Sequence, residues 1–276
     1  MFHILVHRGL GRYPESGRLA LQKSLEKGFG IEIDVHRTKD GVLVVTHDRN
    51  LKRLYDQDLL VPDLNLKQVK GISRKKNHEI LTLTETLELF KQYSKIGVLA
   101  AIQVKDPTQK NVAELTVKTL EDFDMDNADF SIYERVFIFD ATKDAAKQLK
   151  NMQPNLKVGL SVGEDNLFTK YEYKKKYPTI YSPTEIEQFH YFDIVWADEW
   201  QNGLYTEDFV KKAHKMGKLI YAVSPELHKA TDPSHPDGKD LVNIKKGWKN
   251  LIGWGVDGIC TDYPEKLAEV LKNEKD

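Results

Sequence analysis

Cysteine is nearly absent from this chain: Cys260 stands alone, so no intramolecular disulfide is possible and the fold does not depend on an oxidising compartment. Net charge is almost absent too. Lys and Arg number 41 against 42 Asp and Glu, which leaves −1 at pH 7. That balance removes the electrostatic case for nucleic acid or an acidic membrane as the main partner. The short basic runs at 73–78 and 173–178 read as solvated faces. No window approaches the roughly 20 consecutive apolar residues that span a bilayer, so no membrane insertion is expected. Residues 1–10 show no basic n-region, apolar h-region or cleavage site, and a cytoplasmic location is the expectation. Nor does a Gly-rich dinucleotide fingerprint follow any apolar run, which counts against a doubly wound open sheet.

What is present is 276 residues, 40% hydrophobic and 30% charged, enough for one large α/β barrel or two modest domains. Apolar runs fall at 3–7, 30–35, 97–104, 135–140, 156–162, 192–197, 218–223 and 256–261. Amphipathic stretches lie between them at 16–27, 83–94, 108–121, 142–151, 183–189, 206–216, 241–253 and 263–273. Pro107-Thr108, Thr142 and Tyr263-Pro264-Glu265 suit helix N-termini. Eight strands alternating with helices predict a TIM (β/α)8 barrel, and no linker or composition break divides residues 1–276.

One segment breaks the alternation. In "HRTKDGVLVVTHD", Asp40-Gly41 is a two-residue hairpin signal. With those two as the loop, Asp34 lies opposite His47, and opposed residues share a face. Residues 49–80 then read as a small excursion, an insertion above the barrel rim.

The chemistry concentrates at strand ends. Within "GIEIDV", Ile31, Ile33 and Val35 alternate with Glu32 and Asp34, which puts both carboxylates on one face. In a barrel that face points inward, where two like charges repel unless a cation lies between them. A hard divalent ion, Mg²⁺ or Ca²⁺, is the simplest solution. The first strand stops on His7, Arg8 and Gly9, at the end where barrel active sites lie, and the hairpin returns His47 beside Asp34. Lys105 closes the third strand, and Gln103 points the same way two residues earlier. A metal, two imidazoles and two cations together suit a phosphoryl ester: the metal and the cations neutralise the nonbridging oxygens while the imidazoles exchange protons with nucleophile and leaving group. The glycine after Arg8 lets the backbone approach a phosphate.

"HRG…PES", "IEIDVHRTKDGVLVVTHD", "LTLTETLELF", "AIQVKD" and "GVDGICTDYPEKL" together resemble the glycerophosphodiester phosphodiesterase family. The resemblance runs from residue 5 to about 100 and resumes at the C-terminus. It implies a TIM barrel that hydrolyses glycerophosphodiesters, a reaction of glycerol and lipid metabolism, with one divalent metal. Carried over, His7 and His47 are the acid–base pair, Glu32 and Asp34 the metal ligands, and Arg8 and Lys105 the phosphate contacts. It also implies that the substrate's adjacent hydroxyl attacks first, through a cyclic phosphate. Which histidine is acid and which is base is not legible. Gln103 stands where the family has a third carboxylate ligand; its amide oxygen can still bind a metal, and Glu226, at the base of the long loop 224–240, is the alternative. In that loop His228 and His235 read as exposed histidines, while Trp196, Trp200 and Tyr221 are candidates to line a pocket.

The expected function is hydrolysis of small glycerophosphodiesters or related alcohol phosphodiesters to an alcohol and a phosphomonoester. The competing reading is a phosphodiester-binding protein on the same barrel, weakened in metal affinity by Gln103. A carbohydrate-active barrel using Glu32 and Asp34 as its acid pair fits poorly, because neighbours on one strand do not flank a bond at the ~5–9.5 Å that glycosidases need. Neither the alcohol nor the oligomeric state is legible.

Overall fold

Strands that alternate apolar with polar or small residues close here into a barrel with two distinct faces. The computed structural model describes residues 1–105, 111–127, 129–228 and 238–274. Its barrel strands are β1 (His3–His7), β2 (Gly30–Arg37), β3 (Ala100–Val104), β4 (Val136–Phe139), β5 (Lys157–Val162), β6 (Ile194–Ala197), β7 (Leu219–Val223) and β8 (Gly258–Thr261). Each pairs in parallel with the next, and β8 pairs with β1 to close the ring. This is the TIM barrel that the alternation predicts.

The outward residues of β2, Ile31, Ile33 and Val35, join the large apolar layer beneath the helices. Inward residues form a second core of Leu5, Ala101, Phe137, Phe139, Ile194, Trp196, Tyr221, Val223 and Cys260. Apolar side chains fill the barrel floor, and the polar inward residues of β2 and β3 gather toward the C-terminal rim. Among the described residues no helix is long and apolar enough to cross a membrane.

Helix starts follow their caps. Thr82 and Glu85 form a reciprocal capping box for Leu83–Tyr93, Thr142 caps Lys143–Met152, and Pro264 opens the last helix. The expected start at Pro107-Thr108 lies outside the described residues. After β5 come two short helices, Asp165–Phe168 and Tyr171–Lys176, and a two-residue strand, Ile180–Tyr181, that pairs with β5. Pieces this short carry no readable period.

The hairpin differs from expectation by one residue. Val35 pairs with Val45 and His36 with Val44, so Asp34 meets Thr46 rather than His47. The turn is longer than Asp40-Gly41 alone: Thr38 N donates to Val42 O, and Gly41 takes the left-handed conformation at φ +84°. A one-residue slip normally flips every side chain to the other face. His47 escapes that fate because regular pairing ends at Val45.

Between 49 and 80 lie the helices Lys52–Tyr55 and Leu66–Lys75. They pack on a small core of Val44, Leu51, Tyr55, Val61, Leu64, Val69 and Ile80.

Candidate active site

Parallel register places the site residues. His7 lies beside Glu32 across β1 and β2, and Asp34 lies beside Gln103 across β2 and β3. Arg8 follows β1 in the left-handed region at φ +54°, an uncommon choice for a side chain of this kind. Gly9 comes next at φ +82°, where a Cβ would stand 2.7–2.9 Å from Ala20. Only glycine lets the chain turn this tightly against the first helix.

A cavity of about 310 Å³ opens at the C-terminal rim. His7, Arg8, Glu32, His47, Gln103 and Lys105 line one half of it. Asp34 is buried behind them. Its carboxylate meets Lys105 Nζ at 3.1 Å and Arg8 Nε at 3.5 Å, the latter a charge contact without hydrogen-bond geometry. Burial alone would raise the proton affinity of Asp34. The charges of Lys105, His47 and Arg8 outweigh it and hold the group well below the usual carboxylate range. Glu32 goes the other way: burial, then the Asp34 charge, push it up, and its Oε2 has no hydrogen-bond partner.

Each histidine leans on a carboxylate. His7 Nδ1 lies 2.9 Å from Asp262 Oδ1, and His47 Nδ1 lies 2.7 Å from Asp48 Oδ1. A proton on each Nδ1 satisfies these bonds and leaves Nε2 as the working nitrogen. Burial lowers the proton affinity of His47, and its bond to Asp48 opposes that shift.

The far half of the cavity is lined by Phe139, Asp140, Trp196, Asp198, Trp200 and His228, among others. Asp140 is raised by burial despite donors from Thr179, Gln103 and Ser161, the Gln103 bond measuring 2.9 Å. Trp196 stacks on Phe139 at 4.0 Å. Trp200 lies against His228 at 4.7 Å between ring centres, and its indole Nε1 is buried without a hydrogen-bond partner.

The divalent metal expected from the sequence does not survive this geometry. Among the described residues no group of three or more His, Cys, Asp or Glu side chains is placed to hold a metal ion. Asp34 is already compensated by two cations, and Gln103 turns its amide toward Asp140. Glu226, the alternative ligand, accepts from the Ser224 and Thr261 hydroxyls and from Asp262 N, tying the loop after β7 to the end of β8. Glu32 Oε2 and Asp34 Oδ2 are left without hydrogen-bond partners, and two carboxylates, one of them held by Lys105 and Arg8, are not a ligand set.

Two further expectations change. His228 is buried rather than exposed: its Nε2 lies 2.7 Å from Asp198, whose charge raises the imidazole's proton affinity against the opposing effect of burial. Tyr221 sits in the barrel floor, its hydroxyl 3.1 Å from His3 Nδ1. His235 lies outside the described residues. Sequence reasoning missed Asp48, Asp262, Asp140 and Asp198. Asp262 follows β8 directly, and its place at a strand's C-terminal end was the available signal.

The opposite fates of Glu32 and Asp34 set a pH test. Glu32 holds its proton to higher pH folded than unfolded. The stability it contributes is therefore complete in acid and is lost as pH rises from the ordinary glutamate range toward neutrality. Glu32→Gln, neutral throughout, should melt higher than the native chain above neutral pH and close to it near pH 4.5. The gain is roughly 2–4 °C for each kcal/mol recovered. Calorimetric melts across pH check this, and a gap that does not widen with pH assigns no such cost to Glu32.

Comparison with known proteins agrees with the barrel fold. The sequence profile described as the glycerophosphoryl diester phosphodiesterase family matches residues 7–266. A glycerophosphodiester phosphodiesterase of Caldanaerobacter subterraneus is 26% identical over 98% of this chain and 97% of its own length. One from Bacillus altitudinis is 25% identical over the full length of both. Among solved structures, a glycerophosphodiester phosphodiesterase from Parabacteroides distasonis superposes with a TM-score of 0.71 at 20% identity, covering 100% of this chain and 98% of that one. An Oleispira antarctica phosphodiesterase, solved with its product sn-glycerol-3-phosphate, gives 0.69 at 19% identity, covering 98% and 96%.

Proposed function

The chain belongs to the glycerophosphoryl diester phosphodiesterase family and is a phosphoric diester hydrolase of that kind; from this premise we propose that it cleaves small glycerophosphodiesters by proton transfer through His7 and His47. The observation that carries the reading is the pair of carboxylate-backed imidazoles, His7–Asp262 and His47–Asp48, on one cavity with Arg8 and Lys105. Arg8 and Lys105 bind the nonbridging phosphate oxygens, where negative charge grows in the transition state. His47, kept neutral by burial, takes the proton of the attacking hydroxyl. His7 gives a proton to the departing alkoxide, which leaves as the alcohol. When the attacker is the neighbouring glycerol hydroxyl, the product of this step is a cyclic phosphate. Water then opens the ring with the two histidines exchanging roles, and a phosphomonoester results. The Oleispira relative, solved with sn-glycerol-3-phosphate, supports a phosphomonoester product of this type.

A cavity of about 310 Å³ with a mixed polar and aromatic lining supports a small polar alcohol as the leaving group. Trp200 Nε1 is a buried indole donor without a hydrogen-bond partner at the cavity wall, and on this reading it serves a substrate oxygen. The test is turnover of glycerol phosphate diesters of glycerol, ethanolamine and choline, beside a long-chain lysophospholipid. Hydrolysis confined to the short diesters is expected. Trp200→Phe keeps an aromatic side chain but loses the donor, so KM should rise roughly 3–10-fold with kcat held, the scale of one hydrogen bond. Binding of every diester without turnover of any sinks the proposal.

A further inference from the structure

The excursion between β2 and β3 sends one side chain back to the rim. Arg53 Nε donates to Asp48 Oδ2 at 2.5 Å, and its two terminal nitrogens donate to Glu15 at 2.5 and 3.0 Å. Asp48 is the carboxylate behind His47, and Glu15 lies 3.7 Å from Arg8 Nη1. We propose that Arg53 is a positioning residue that sets His47 through Asp48 and Arg8 through Glu15. This rests on the roles given to His47 and Arg8 above.

Three features argue that the contact is built rather than incidental. First, the fork uses donors on three different nitrogens toward two carboxylates, a geometry that a single ammonium cannot reproduce. An isolated exposed ion pair contributes little, but a bidentate network fixes side-chain direction. Second, both carboxylates are held below the usual range with Arg53 among the causes: for Glu15 its hydrogen bond opposes burial, and for Asp48 it joins the bond from His47. Both therefore stay charged and keep their grip through neutral pH. Third, the excursion secures the backbone that carries Glu15. His78 Nε2 donates to Glu15 O at 2.8 Å, and His78 packs against the buried Tyr55, two residues after Arg53. Ser16 N donates to Arg8 O at 2.7 Å, which links that loop directly to the phosphate-binding arginine.

The prediction separates geometry from charge. Arg53→Lys keeps a cation on a half-exposed surface, so the melting temperature should stay within a few degrees of native. It cannot span Glu15 and Asp48 together. Diester turnover should lose roughly 10–100-fold in kcat, the cost of a misplaced catalytic group. A double-mutant cycle then tests the route. In an Asp48→Asn background, where His47 has already lost its charged support, the kcat cost of Arg53→Lys should shrink at least about threefold. The kcat loss that remains is the part that acts through Arg8. Native kcat in Arg53→Lys overturns the proposal, as does a full loss that persists in the Asp48→Asn background. Should His47→Ala keep native turnover, the reading of the site fails instead, whatever Arg53 does.

Discussion

His47→Ala and His7→Ala should each lower kcat for a glycerophosphodiester by roughly 10²-fold or more, the usual scale for losing general acid or base help. Neither ring is part of the apolar core; their side chains are 31% and 22% exposed on the cavity wall. Both variants should therefore fold and melt near the native temperature. The loss should fall on kcat rather than KM, because an imidazole that moves a proton acts more on the transition state than on the bound diester. The double variant should be little worse than either single one, since a step with no base gains nothing from a retained acid. Steady-state kinetics at neutral pH, with chemistry confirmed as rate-limiting by single turnover, check all three statements. Near-native kcat in either single variant removes that histidine from proton transfer.

Arg8→Lys carries the second large effect. Arg8 occupies a left-handed backbone position, with Nε near Asp34 and Nη1 near Glu15, so its guanidinium plane is set before substrate arrives. A planar fork meets two phosphate oxygens together, whereas lysine offers one compact charge on a flexible stem. Losing a preorganised contact to developing charge costs roughly 10²–10³ in kcat, and a loss of that order is expected here. Lys105, at the end of β3 and paired with Asp34 at 3.1 Å, is expected not to compensate, because a single ammonium cannot reproduce the fork. Equal rates for Arg8→Lys and the native chain would assign Arg8 to structure.

The barrel was legible because every barrel strand leaves a period-two or continuous apolar mark, and the helices between them show their caps. Glu32 and Asp34 were legible as a pair for the same reason. Register was not, because it turns on the conformation of Thr38 to Val42, and "DG" suits two turns of different length. The metal expectation failed on a tertiary fact: strand alternation shows which residues point inward, but not that Lys105 and Arg8 fold back onto Asp34. His228 was misjudged because nothing local reveals that a loop histidine turns inward to Asp198. Asp262 and Asp48 escaped notice although each adjoins a strand end or a histidine. Pairing between a C-terminal aspartate and His7, 255 residues apart, exists only once the barrel closes.

The most direct test is the ³¹P NMR time course of glycerophosphodiester hydrolysis by the native chain and by His47→Ala. With the native chain, the diester resonance should give way to a phosphomonoester, with a transient cyclic phosphate when the neighbouring glycerol hydroxyl attacks. With His47→Ala at equal concentration, the diester resonance should persist. A diester resonance unchanged by the native chain, or one consumed equally fast by His47→Ala, contradicts the account.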